Sequence, residues 1–166
     1  MTHTIPYGMI ETISASKPMQ DALSDLAALA EKAAQARLAD SQNIDPWHIN
    51  PEGFSRSVLS VVNARKHVDS CFHPWTVVWA LRTDGHILHM QNRWRKPTET
   101  HSVVLETGSA YVFNAHLPHW TTNGKSPLVF LTMEYETKPS DDVIYADLQA
   151  EISEIERRRL TAGSEG

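Results

Sequence analysis

Cysteine is the residue type that this chain has least of, with Cys71 alone among 166 residues. One cysteine excludes an intramolecular disulfide, and it excludes a zinc site built from several thiolates of the same chain. The neighbourhood of Cys71, close to Asp69, does not indicate an activated thiolate. We therefore expect Cys71 to be a small buried apolar residue.

The chain also lacks a long apolar run and an excess of basic residues. No stretch approaches the roughly 20 apolar residues that a membrane span needs. The N-terminus has no basic region followed by an apolar segment, so we expect a cytoplasmic protein with no membrane partner. The formal net charge is −5, which argues against nucleic acid as a partner. A small-molecule, peptide or nucleotide-like substrate is expected, and these totals leave the oligomeric state open.

What the chain does contain is the apolar content of an ordinary globular protein, 41%. Its length predicts one domain over residues 1–166. Residues 17–40 predict a helix, with Pro18 suited to the first turn and apolar residues at helical spacing. Residues 141–160 predict a second helix capped by Ser140, followed by six residues that we expect to be disordered.

Between the two predicted helices, residues 54–136 contain a series of short strand-like runs. Residues 1–16 predict a leading strand or loop, and residues 41–53, with two prolines and a glycine, predict a connecting loop. Turn signals separate the strand-like runs, at Asp84-Gly85, Lys96-Pro97, Thr107-Gly108 and Asn123-Gly124. Six or more short strands with hairpin turns predict an antiparallel sandwich or barrel.

His67 and Asp69 are two residues apart, so in a strand their side chains point to the same face. Such a triplet is weak evidence by itself, because chance supplies about half an occurrence in a chain of this composition. Here the triplet follows one strand-like run and precedes another. A second imidazole, from His119, would complete two histidines and one carboxylate. That set binds non-haem Fe(II) and leaves positions open for oxygen chemistry.

The order of these features resembles the double-stranded β-helix core of the Fe(II)/2-oxoglutarate-dependent dioxygenases. The likeness covers residues 54–136, and the interval from His67 to His119 is 52 residues. It rests on the following segments: His67-Val68-Asp69, Trp75 to Leu81, Asp84-Gly85-His86-Ile87-Leu88, Leu105 to Phe113, and His119. The resemblance implies a mainly β, jelly-roll, cupin-like fold with flanking helices. It also implies Fe(II) held by His67, Asp69 and His119, with 2-oxoglutarate and O₂ consumed as a substrate is hydroxylated and succinate and CO₂ form.

One element of the family pattern is missing. The family usually has an arginine or lysine about ten residues after the distal histidine, to pair with the far carboxylate of 2-oxoglutarate. Here residues 128–132 are Leu-Val-Phe-Leu-Thr. An unpaired carboxylate in a pocket is costly, so another cation must serve or the co-substrate differs. Arg82 is the first substitute, Arg93 the second and Lys125 the third. Trp79 either lines the co-substrate pocket or belongs to the core.

A second resemblance, to the cupins, supports the same fold with different ligands. The first cupin motif needs two closely spaced histidines and a glutamate, whereas His86 and His89, three residues apart, face opposite sides of a strand. The dioxygenase-like triad is therefore preferred. A non-catalytic cupin-like binding module and a metal-dependent cupin enzyme without 2-oxoglutarate stay open as alternatives. The second cupin motif is matched in spacing by Gly108, His119 and Asn123.

Two loops outside the predicted core, residues 41–53 and 91–101, are expected to decide the substrate. The second loop contains Asn92-Arg93-Trp94-Arg95-Lys96, which combines cations with an indole. This composition suits either an anionic or nucleotide-like substrate or an ordinary solvated turn.

Overall fold

A computed structural model describes residues 10–35, 44–49, 54–69 and 73–165. The prediction for Cys71 lies outside these residues, as do residues 36–40 of the first predicted helix. Parts of the predicted loop 41–53 also lie outside them.

The described chain begins with a strand and a helix, continues through eight more strands and ends with a second helix. In chain order these elements are β1 (Glu11–Ser14), α1 (Lys17–Gln35), β2 (Trp47–His48), β3 (Val58–Val61), β4 (Trp75–Arg82), β5 (Ile87–Gln91), β6 (Thr100–Val104), β7 (Ser109–Asn114), β8 (His119–Thr122), β9 (Leu128–Tyr135) and α2 (Asp141–Glu165). Neither helix combines the length and the apolar character that crossing a membrane requires.

The strands form two antiparallel sheets. The larger has the order β1-β7-β4-β9-β3-β2, and the smaller has the order β6-β5-β8. An isolated bridge between His67 and His119 adds a short segment to the β8 edge of the smaller sheet. From β3 onward two consecutive pairs share a sheet, β3 and β4 in the larger and β5 and β6 in the smaller, and every other connection crosses between the sheets. Between β3 and β4 the chain also visits the smaller sheet, where His67 pairs with His119 of β8. This winding is that of a double-stranded β-helix, so the predicted mainly β fold with two flanking helices is confirmed.

The larger sheet is buried on both faces, which explains why β4 and β9 are almost continuously apolar in sequence. Successive residues of a strand alternate between the faces. The face that packs against the two helices includes Val77, Trp79, Leu81, Val129, Leu131 and Met133 with Leu26, Ile144 and Leu148. A second apolar set lies between the sheets, and it includes Val78, Ala80, Leu88, Met90, Tyr111 and Phe113.

The structure differs from the sequence prediction at short strands and at one helix end. β2 and β8 have two and four residues, too few for an apolar period to be detected. α2 continues beyond Leu160 to Glu165, where we expected disorder. Thr161, the first residue of the segment expected to be disordered, is helical, and its Oγ1 donates a hydrogen bond to the Arg157 carbonyl at 3.0 Å.

A buried carboxylate joins α2 to the chain that leads into β3. Glu151 is 4% exposed, and it accepts hydrogen bonds from Ser55 N at 2.8 Å, Ser55 Oγ at 2.5 Å and Arg56 N at 3.2 Å. Both oxygens therefore have donors, which offsets the cost of burying the charge. This contact fixes the approach to β3, one of the strands beside the site described below.

His86 is completely buried in the turn before β5. Its Nδ1 atom lies 2.9 Å from Thr83 Oγ1 and accepts from Asp84 N at 3.3 Å. Burial lowers the pKa of His86 below its ordinary value of 6.5 and outweighs the opposing effect of the Asp84 carboxylate. The imidazole is therefore neutral in the folded protein at neutral pH.

We expect His86 to make the protein less stable below about pH 6.5, because the unfolded chain then binds a proton that folded His86 does not. Its contribution is complete above that pH and is lost as the pH falls toward the lower folded pKa. The pKa of His67 is raised, so its contribution to stability changes with pH in the opposite direction. To isolate the contribution of His86, urea unfolding is compared between wild type and His86→Asn from about pH 7.5 to about pH 5. The variant should lose less stability over this range, and equal losses would contradict the prediction.

Candidate metal centre

Three of the residues singled out in the sequence come together on the wall of a cavity between the sheets. His67 and His119 form a backbone pair, with His67 N to His119 O at 3.0 Å and His119 N to His67 O at 2.9 Å. Asp69 follows two residues later, and its N–H donates to the Ala115 carbonyl at 2.9 Å. Backbone hydrogen bonds between segments distant in sequence thus place all three side chains.

The donor atoms of these three residues converge. His67 Nε2 and His119 Nε2 each lie 3.4 Å from Asp69 Oδ1, and one potential ligand atom from each residue lies within 4.8 Å of the other two. The imidazole centroids are 4.3 Å apart, with the rings tilted by 58°. Ligands bound to one ion at about 2.1 Å and at right angles lie about 3 Å apart. Small side-chain movements would therefore suffice to bind an ion.

The second nitrogen of each histidine is occupied by a backbone carbonyl. His67 Nδ1 lies 2.5 Å from Arg65 O, and His119 Nδ1 lies 2.8 Å from Leu117 O. A carbonyl oxygen only accepts hydrogen bonds, so each Nδ1 carries the proton and donates it. This arrangement directs both Nε2 atoms to the metal position, as in most metal-binding histidines. The residues present therefore fit a divalent metal ion.

The electrostatics also suit a metal ligand set. Burial raises the pKa of Asp69, but hydrogen bonds from His119 and His67 outweigh it and hold that pKa well below the ordinary 3.8. The hydrogen bond with Asp69 in turn raises the pKa of His67, although burial lowers it in part. Asp69 is thus ionised at neutral pH, and its carboxylate is available to a metal ion without the loss of a proton.

The cavity beside the three residues has a volume of about 490 Å³. Its carboxylates are Asp69 and Glu134, and no Lys or Arg side chain lines it within the described parts of the chain. Most of the wall is apolar, with hydroxyl groups on the larger sheet from Ser57, Thr76 and Thr132. The cavity is large enough for a small organic molecule.

The three residues proposed to anchor a co-substrate lie away from this cavity. Arg82 follows a break in strand register after Ala80, and its Nε pairs with Glu31 at 2.8 Å. Arg93 lies in an exposed loop, where Nε donates to the Lys96 carbonyl at 2.9 Å. Trp79 has no exposed surface and packs in the core beneath the helices.

Alternation along β4 explains the position of Trp79. Thr76 and Val78 line the cavity, so Trp79 must point to the opposite face of the sheet. The third substitute, Lys125, is exposed in the turn before β9, and its N–H donates to Asp84. None of these side chains is among the residues that line the cavity.

Two features of the site were not identified from the sequence. The hydroxyl-bearing wall could have been found by following the period-2 alternation of β4 and β9 from Thr76 and Thr132. The other feature is Lys66, whose Nζ lies 5.1 Å from the Trp94 ring and 5.5 Å from the Trp120 ring. The cation that contacts the Trp94 ring is therefore Lys66, the residue before His67, and it does not come from the loop of residues 91–101 itself.

Comparison with known proteins leaves the family open. No protein-family model and no curated protein matches the sequence. Similar solved structures include a prolyl-4-hydroxylase of Pseudomonas putida, with 17% identity, a TM-score of 0.49, and coverage of 80% of this chain and 89% of that one. The hydroxypropylphosphonic acid epoxidase of S. wedmorenis has 16% identity, a TM-score of 0.35 and coverage of 50% and 44%. Peruvianin-I, a cysteine peptidase from Thevetia peruviana latex, has 15% identity, a TM-score of 0.41 and coverage of 63% and 71%.

These three proteins have different activities, and each TM-score is below 0.5, so they assign neither a family nor an activity to this chain. The fold is established by the strand order, and the site rests on its own geometry.

Proposed function

We propose that this protein is a mononuclear Fe(II)-dependent oxygenase. The observation that carries the proposal is the convergence of His67 Nε2, His119 Nε2 and an Asp69 oxygen, with both Nδ1 atoms bound to carbonyls. Two histidines and one carboxylate on one side of an iron ion leave its other positions open to O₂ and to an organic molecule. When bound, the iron would supply the activation of O₂.

The chain's own residues would hold, neutralise and enclose the reacting groups. His67, Asp69 and His119 would bind the ion, and the Asp69 carboxylate would cancel one of its two positive charges. The apolar wall, which includes Val78, Leu88 and Phe130, would exclude water and orient the substrate.

2-Oxoglutarate as the co-substrate stays a prediction from the family resemblance. Its 2-oxo acid group could bind the ion, but its far carboxylate needs a partner, and neither Arg82 nor Arg93 lines the cavity. A metal-dependent cupin enzyme that does not use 2-oxoglutarate is therefore a second candidate. The observation that favours it is that no Lys or Arg side chain of the described residues lines the cavity.

The test is reconstitution with Fe(II) under anaerobic conditions, followed by metal analysis and by measurement of O₂ uptake both with and without 2-oxoglutarate, and of succinate where 2-oxoglutarate is present. Wild type should retain about one iron per chain and consume O₂, whereas His67→Ala should do neither. His116→Ala is the matched control, because His116 is an exposed histidine close to the site that does not line the cavity. No iron in wild type, or equal iron in His67→Ala, would refute the proposal. Uptake of O₂ without succinate would favour the second candidate.

A further inference from the structure

We infer that the cavity takes a metal-chelating monoanion whose remaining part is apolar, such as a 2-oxo acid with a hydrocarbon tail, and that it rejects 2-oxoglutarate. The inference rests on the proposed metal centre and specifies the class of molecule that binds there. It concerns binding and requires no particular reaction.

The charges around the cavity favour a ligand with a single negative charge. A divalent ion with Asp69 has one net positive charge, which a single carboxylate on the ligand would cancel. A second ligand carboxylate would enter a cavity whose lining includes the exposed carboxylate of Glu134 and no Lys or Arg side chain of the described residues. Like charges in one site raise the free energy of both, and a carboxylate without a partner is costly to bury.

The basic residues of the described chain do not offer a partner for a second ligand carboxylate within the cavity lining. The chain has 15 Lys and Arg residues, and Arg37 is the one that lies outside the described residues. None of the others lines the cavity. Of the two nearest in sequence to the site, Arg65 pairs through Nε with Asp45 at 2.9 Å. Lys66 Nζ lies over the rings of Trp94 and Trp120, and of these three residues Trp120 is the one that lines the cavity.

The last strand, β9, presents apolar side chains to one part of the cavity. Leu128, Phe130, Thr132 and Glu134 are the β9 residues that line the cavity. Phe130 and Leu128 offer hydrocarbon at the end of the strand where the family resemblance requires a cation. The Thr132 hydroxyl donates to the Ser57 carbonyl at 3.4 Å, so it is already bonded within the protein. The surface facing a chelated molecule is therefore suited to an apolar tail.

The Thr76 hydroxyl is engaged in the same way, since it donates to the Met133 carbonyl at 3.3 Å. A carboxylate placed in this part of the cavity would have to compete with both carbonyl acceptors for hydroxyl protons. A hydrocarbon tail leaves those bonds intact.

The test compares two acids that share the chelating 2-oxo acid group and differ in the tail. Wild type loaded with Mn(II) is titrated with 4-methyl-2-oxopentanoate and with 2-oxoglutarate, and binding is followed by the Mn(II) resonance signal and by calorimetry. We expect the apolar acid to bind at least about tenfold more tightly. Equal affinities, tighter binding of 2-oxoglutarate, or binding of neither acid would overturn the inference.

A second measurement asks whether a cation added to the cavity increases the affinity for 2-oxoglutarate. Phe130→Arg places a cation on the cavity side of β9, and it should raise the affinity for 2-oxoglutarate at least about tenfold. Phe130→Gln is the matched control, since it removes the ring without adding charge, and it should give no such gain. Thr132→Lys makes the same test if Phe130→Arg does not fold. A gain in Phe130→Gln equal to that in Phe130→Arg would contradict the role of charge.

Two further outcomes separate this inference from the proposed function. Failure of wild type to bind Mn(II) in the absence of any acid would refute the metal centre itself. Binding of Mn(II) followed by tight binding of 2-oxoglutarate would overturn the inference and leave the metal centre intact. Loss of that binding in Arg37→Ala would then identify Arg37 as the cation that pairs with the far carboxylate.

Discussion

His119→Ala should weaken Mn(II) or Fe(II) binding by more than about 100-fold. Removal of a residue that merely orients a ligand already costs 10–100-fold in affinity in known metal sites, and His119 would be a ligand itself. His119 is 6% exposed, and its imidazole is fixed by the Leu117 carbonyl, so another side chain cannot easily take its place. The measurement is the dissociation constant for Mn(II), from the signal of the free ion at equilibrium.

His116→Ala is the control for this measurement, and it should bind Mn(II) within about twofold of wild type. The two variants make the same substitution, histidine to alanine, at positions three residues apart in the sequence. A drop of equal size in both variants would indicate a general effect on folding. No drop in His119→Ala would exclude His119 as a ligand.

Gly124→Ala should lower the free energy of unfolding by about 3 kcal/mol, near the upper end for overpacking of a core. A Cβ atom at Gly124 would lie 2.2 Å from His86 Nε2 and 2.5 Å from the Val62 carbonyl oxygen. The backbone cannot move aside easily, because Asn63 accepts from Gly124 N at 2.8 Å and donates to Gly124 O at 2.9 Å. Urea unfolding monitored by circular dichroism measures the change.

Gly85→Ala gives the comparison for this prediction. Gly85 has a φ of +100°, but the nearest atom to an added Cβ is Asn123 Nδ2 at 3.6 Å. The cost there is backbone strain of about 1 kcal/mol without a steric clash. Gly124→Ala should therefore be the less stable variant, and the reverse order would show that the contact with Val62 relaxes readily.

The sequence was sufficient for the fold because the turn signals and the two-sided apolar strands are local patterns. His67 and Asp69 were found by period-2 alternation, which needs no knowledge of the partner strand. It was harder to predict which face of β4 lines the cavity. Alternation places Thr76 and Val78 on one face of β4 and Trp79 on the other, but because both faces are largely apolar it does not show which of them meets the helices.

Arg82 shows a second limit of sequence reasoning. A register shift between Ala80 and Arg82 interrupts the alternation of β4, and a shift of this kind depends on the neighbouring strand. The partner of Arg82 is Glu31 on α1, which is 51 residues away in the sequence. The pairing of Arg82 is therefore set by a tertiary contact, whereas His67 and Asp69 are only two residues apart in the sequence.

The backbone pair between His67 and His119 links metal binding to the stability of one edge of the protein. These residues are 52 positions apart, and the segment around His67 is held to β8 by an isolated bridge. An ion bound to both imidazoles would act as a cross-link that closes this long loop. At 100 times its dissociation constant it would stabilise the folded state by about 2.7 kcal/mol. Amide hydrogen exchange at His67 and His119 should then slow more on metal addition than exchange within β4.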